Sequence, residues 1–172
     1  LKEKDQFPKG RAGFYIFETG VIEIAKGNKQ VFESLTHELL HSFSAPPKGS
    51  IFIKAGGLTE GVTQYLIGKI MRRLSPRYIN QTYPDQVTAV EKLLQFTNEE
   101  KLIDTYFNQD FFSLQKDVDN QTYPGAFCRF YRYLDKSIIV IIEKRDFDKS
   151  KDFVNQAVKA LESKEGDPLG CY

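Results

Sequence analysis

Apolar positions early in the chain follow the habit of strands. Gly13-Phe14-Tyr15-Ile16-Phe17 and Val21-Ile22-Glu23-Ile24-Ala25 are dense in β-branched and aromatic residues, which pack well on a pleated surface. Glu18-Thr19-Gly20 between them predicts a hairpin or paired edge strands, and Gly27-Asn28 breaks the second run. From about residue 30 to 43 the spacing changes. Phe32, Leu35, Leu39 and Phe43 recur at three- and four-residue steps, which predicts a helix with that stripe turned to a core. Pro46, Pro47 and Gly49 end it, Ile51-Phe52-Ile53 reads as a short extended piece, and Gly56-Gly57 as a turn. A second helix is expected over residues 58–74, with Leu58, Val62, Tyr65, Leu66 and Ile70 on one face. Pro76 stops it, and Arg72 and Arg73 sit where the helix dipole favours cations.

The rest of the chain reads as helical. Its stripes are Val87, Val90, Leu93 and Leu94; then Leu102, Ile103, Tyr106 and Phe107; then Phe127, Phe130, Tyr131 and Leu134; and last Phe153, Val154, Ala157, Val158 and Leu161. Residues 138–142, Ile-Ile-Val-Ile-Ile, are β-branched enough for a strand, but their helical neighbours favour a helix. Asn-Gln-Thr-Tyr-Pro occurs at residues 80–84 and again at 120–124. Helical spacing follows each copy, so both read as helix starts with proline at the first helical position rather than as a duplicated unit.

Composition adds mainly exclusions. At 41% hydrophobic and 27% charged, the chain has the make-up of a folded globular protein. With 24 Lys and Arg against 23 Asp and Glu, its net charge of +1 creates no field that would draw nucleic acid. The longest apolar run is too short to span a bilayer. The chain begins with Leu1, and residues 1–6 hold no signal-peptide core, so a targeting segment can have been removed. Cys128 and Cys171 form neither a disulfide framework nor a metal-spaced cluster and are expected to be unpaired.

Candidate chemistry lies in Thr36-His37-Glu38-Leu39-Leu40-His41. On a helix, His-Glu-x-x-His brings both imidazoles to one side, where they can share a metal ion. On the helical wheel His37 lies nearly opposite Leu35, so the histidines are expected to face away from the apolar stripe. Glu38 is offset from them, placed to reach a water without ligating the metal. The chain has only two histidines, and both belong to this motif. Eighteen residues after His41, the segment Leu58-Thr59-Glu60-Gly61-Val62-Thr63-Gln64-Tyr65 starts a helix with a carboxylate.

This arrangement, over roughly residues 13–74, resembles the gluzincins, the metallopeptidase group that includes thermolysin-like enzymes. The Thr-Glu-Gly-Val-Thr-Gln-Tyr segment is similar to the Glu-Gly-x-x-x-Tyr pattern of many bacterial members. The resemblance implies an α+β, zincin-like fold: a small N-terminal sheet, an active-site helix, a glutamate helix and a helical C-terminal part. In one domain over residues 1–172, residues 13–74 would form the sheet and metal-binding helices and residues 77–164 a helical subdomain. It also implies Zn2+ held by His37, His41 and Glu60, with Glu38 as the base in hydrolysis of a peptide or protein substrate. Two His and one Glu leave a position for water, as in catalytic zinc sites.

Thermolysin-like enzymes stabilise the oxyanion with a further histidine, which this chain lacks. By analogy with the aminopeptidases of the group, a tyrosine takes that role here: Tyr123 is the first choice, with Tyr83, Tyr131 and Arg129 as alternatives. The aminopeptidase motif Gly-x-Met-x-Asn is absent, so endopeptidase is the expected subtype. Gln64, Glu33 or a backbone carbonyl would hold the far side of an imidazole. Gly61, beside Glu60, would let the two metal-binding helices approach closely, and the strand over residues 21–25 would pair with substrate. The rival expectations are a degenerate zincin scaffold that binds metal and a protein partner without cleavage, and a helical interaction module in which the motif is fortuitous.

Overall fold

The computed structural model describes residues 2–4, 12–16, 19–27, 30–44, 56–79 and 82–163. The protein is mostly helical, with one small sheet at its N-terminal end. Strands β1 (Lys2–Lys4), β2 (Gly13–Ile16) and β3 (Val21–Ala25) lie in the order β1-β3-β2. The β2–β3 pair is the expected hairpin, antiparallel with Gly13 opposite Ile24 and Ile16 opposite Val21. Strand β1, which its polar sequence did not announce, runs parallel to β3. Ile22 and Ile24 alternate into the core, as a half-buried strand requires.

Helices α1 (Val31–Phe43) and α2 (Gly56–Leu74) follow, then α3 (Pro84–Leu93), α4 (Glu99–Asn108), α5 (Phe111–Gln121), α6 (Ala126–Lys144) and α7 (Phe147–Glu162). Residues 138–142 are helical within α6, where Ile138 and Val140 are buried. Helix α5 was not foreseen; its Phe111, Leu114 and Val118 face the core. Only the first Asn-Gln-Thr-Tyr-Pro copy starts a helix as expected, with Pro84 opening α3. In the second, Pro124 stays in a turn, Gly125 caps α6, and Asp119 accepts from the Gly125 and Phe127 N–H groups. The extended piece expected at residues 51–53 lies outside the described residues.

One apolar core joins Leu40 of α1, Leu58, Val62 and Ile67 of α2, and residues of every later helix through Leu161 of α7. Helix α2 is central to it because it lacks side chains where it crosses its neighbours. A Cβ on Gly57 would stand 2.0 Å from the Leu134 carbonyl oxygen of α6. At Gly61 the close approach is to α3 rather than to α1 as expected, because that side of α2 faces α3: a Cβ would lie 3.0 Å from Val90 and 3.1 Å from the Gln86 carbonyl oxygen.

Two further expectations are corrected. The α1 stripe is not the buried one: Phe32 and Phe43 are 57% and 69% exposed and Leu39 is also exposed, while Glu38 and Leu40 are buried. Periodicity shows which residues share a face, but the sheet and α2 decide which face is covered. Cys128 is disulfide-bonded rather than free, since pairing depends on spatial proximity that the spacing did not reveal. Cys171 lies outside the described residues.

Candidate metal centre

Helix α1 turns His37, Glu38 and His41 towards α2 and the sheet, and the second turn of α2 brings Glu60 to meet them. The His37 and His41 Nε2 atoms are 2.9 Å apart. Glu60 Oε2 lies 3.1 Å from His37 Nε2, and Oε1 lies 3.4 Å from His41 Nε2. These three side chains are a group that can hold a metal ion. A tetrahedral ion with bonds of about 2.0–2.2 Å keeps its ligand atoms roughly 3.3–3.6 Å apart, so the separations of 2.9, 3.1 and 3.4 Å need open only by a few tenths of an ångström to admit one.

The hydrogen bonding tests the fit. His37 Nδ1 lies 3.3 Å from Gln64 Oε1, an acceptor, so Nδ1 carries the hydrogen and Nε2 offers a lone pair. That lone pair faces Glu60 Oε2, which is buried and receives no hydrogen bond from the described residues. A cation shared among these atoms, whether a proton on His37 or a metal ion, reconciles them. The electrostatics agree. Burial pushes the Glu60 carboxyl up, but the two imidazoles outweigh it and hold Glu60 well below the usual carboxylate range. Burial acts to lower His37, yet Glu60 with Glu38 and Gln64 holds it above its ordinary value.

Glu38 stands beside this group without belonging to it. Burial raises its carboxyl, His37 and His41 pull it down, and the backbone N–H of Tyr15 donates to it. Strand β2 can come this close because Gly13 has no side chain: a Cβ there would lie 3.1 Å from Glu38 Cγ. Ala25 N–H donates to the Ala12 carbonyl at 2.9 Å, so residues 12, 14 and 16 turn their backbone groups to β3. Gly13 and Tyr15 turn theirs to the outer edge, where Glu38 sits. Sequence reasoning missed both; a glycine opening a β-prone run was the only local signal.

The sequence-derived site residues thus divide. His37, His41, Glu60 and Glu38 are brought together. Tyr123 is buried in the α5–α6 connection, with its hydroxyl donating to the Ala160 carbonyl of α7 and the Arg129 guanidinium 4.7 Å from its ring. A phenol has one proton to donate, and this one is committed to the fold, which corrects the oxyanion role given to Tyr123 by analogy. Arg129 also reaches the Ser163 carbonyl, and Tyr83 holds the left-handed cap of α3. Tyr131 is partly buried in α6, and burial and Asp135 push its hydroxyl up to about 12. Tyr106 of α4, unremarked in the sequence except as packing, hydrogen-bonds Thr63 Oγ1 at 2.7 Å and senses the Glu60 charge.

A cavity of about 720 Å3 opens elsewhere, between the later half of α2 and α4, and shares no residue with the metal group. No helix among the described residues is long and apolar enough to cross a membrane. Comparison with protein-family models, with curated proteins and with solved structures gives no match.

Proposed function

We propose that this protein is a zinc-dependent endopeptidase of the gluzincin kind, with a zincin-like fold. The observation that carries the proposal is the convergence of two imidazole Nε2 atoms and the Glu60 carboxylate within 3.4 Å, with a buried, separate carboxylate beside them. Imidazole and carboxylate suit zinc, and three protein ligands leave a position open. When bound, zinc supplies a Lewis acid and eases deprotonation of water.

Glu38 is the base. Its raised pKa moves it towards neutrality, where a carboxylate can take a proton from the attacking water and return it to the leaving amine. A substrate strand is held by β2 rather than β3. Strand β3 lies between β1 and β2 with both edges paired, whereas β2 has an outer edge beside Glu38. The second reading, a scaffold that binds metal and a protein partner without cleavage, is favoured by one observation: the Tyr123 hydroxyl is engaged in the fold.

Metal analysis and a peptide-library cleavage assay test the proposal. Wild type should carry about one zinc and cleave internal peptide bonds. Glu38→Gln should keep the zinc and lose on the order of 10²–10⁴ in rate. Absence of zinc after chelator-free purification and zinc titration would remove the metal site. Zinc binding without cleavage would select the scaffold.

A further inference from the structure

We infer that Glu33, acting through the side-chain amide of Gln64, decides which nitrogen of His37 carries the proton and so keeps Nε2 free to act as a ligand. The inference rests on the reading of His37 as a metal ligand.

Glu33 precedes His37 by one turn of α1, and Gln64 reaches between them from α2. Gln64 Nε2 donates to Glu33 Oε1 at 3.2 Å, and Gln64 Oε1 faces His37 Nδ1 at 3.3 Å. A side-chain amide can sit either way round, and the partners it meets select between the two. A carboxylate only accepts hydrogen bonds, so Glu33 takes the NH2 end and turns the oxygen to His37. An amide oxygen also only accepts, so His37 must bring its hydrogen to Nδ1.

The Tyr78 hydroxyl lies near Glu33, buried and without a hydrogen-bond partner among the described residues. Burial and the Glu33 carboxylate raise its pKa, so it stays a neutral donor facing Glu33. The carboxylate that usually backs a ligating imidazole is here displaced outward by one amide. Glu33 is therefore a positioning residue, two hydrogen bonds from the ligand nitrogen.

Two histidines in the whole chain make imidazole ¹⁵N spectra directly readable. In the full chain, chelator-treated and at mildly alkaline pH, His37 should show the Nδ1–H tautomer. Glu33→Gln should give a mixture of tautomers and lower zinc affinity on the order of 10–100-fold. Adding Gln64→Glu to that variant puts a carboxylate directly on Nδ1–H and should restore both readouts. Glu33→Gln with the wild-type tautomer would overturn the inference, whatever its zinc affinity, and so would failure of the double variant to restore the tautomer. The spectra are read without metal, so a wild type that binds no zinc defeats the metal-site reading while the tautomer arm still decides the role of Glu33.

Discussion

Glu60 and His37 hold each other in their charged forms against the pull of burial, and that opposition has a measurable pH signature. Glu60 is depressed below 4.5, so its contribution to stability is present above that value and is lost as pH falls through the folded pKa. His37 is raised above 6.5, so its contribution is complete below that value and is lost as pH rises through the folded pKa. Chelator-treated protein should therefore melt highest between about pH 4.5 and 6.5, with a fall on each side. Glu60→Gln should flatten both limbs, because it removes the depressed carboxyl itself and the main partner that raises His37. Melting temperatures measured across pH check this, and a profile unchanged by Glu60→Gln would separate the pair from stability. Saturating zinc should erase the alkaline fall, since a bound ion replaces the proton.

Among the elements, α2 carries the greatest constraint. Its first turn lies directly on the α6 backbone, and Gly57 N–H reaches the Asp135 carboxylate at 3.4 Å. A methyl group on Gly57 would overlap backbone atoms of Leu134, which no side-chain rotation can relieve. Gly57→Ala should destabilise the protein by about 3 kcal/mol or more, and should weaken zinc binding because Glu60 is one turn further along. Urea unfolding and zinc titration measure the two effects, and a loss under about 1 kcal/mol would contradict the packing described. Helix α1 shows what periodicity leaves open. Phe32, Leu35, Leu39 and Phe43 do share a face, but α1 meets the sheet and α2 through Glu38, Leu40 and the two histidines.

Across the whole molecule, the metal group joins an N-terminal helix to the helical body. His37 and His41 belong to α1, which also contacts β2 and β3, and Glu60 belongs to α2, which is packed on α3 and α6. Zinc binding should therefore stabilise the global fold. At a free concentration 100 times the Kd the gain is about 2.7 kcal/mol, read as a concentration-dependent rise in melting temperature. A melting temperature indifferent to zinc would mean that the group binds none. The helical body is also oriented by a buried polar contact, because Gln86 Nε2 donates to Ser137 Oγ at 3.0 Å and Ser150 Oγ at 3.2 Å. Those bonds link α3, α6 and α7, and misplacing any of the three helices would leave buried polar groups unsatisfied.

Local pattern alone determined the β2–β3 hairpin, the extent of α1, the end of α2 and the sharing of one side of α1 by His37 and His41, because each depends on spacing within one element. That this side is the covered one, and that Gly56 and Gly57 are helical rather than a turn, it did not determine. The place of Glu60 beside the two imidazoles was legible from the same stretch of chain, through resemblance. Only the tertiary structure decided which face of α1 is covered, that β2 rather than β3 has an outer edge beside Glu38, and that the Tyr123 hydroxyl goes to Ala160. It also decided that Glu33, Gln64 and His37 form one hydrogen-bonded chain. Each of these depends on contacts between elements distant in sequence, where neither periodicity nor composition carries information about the partner.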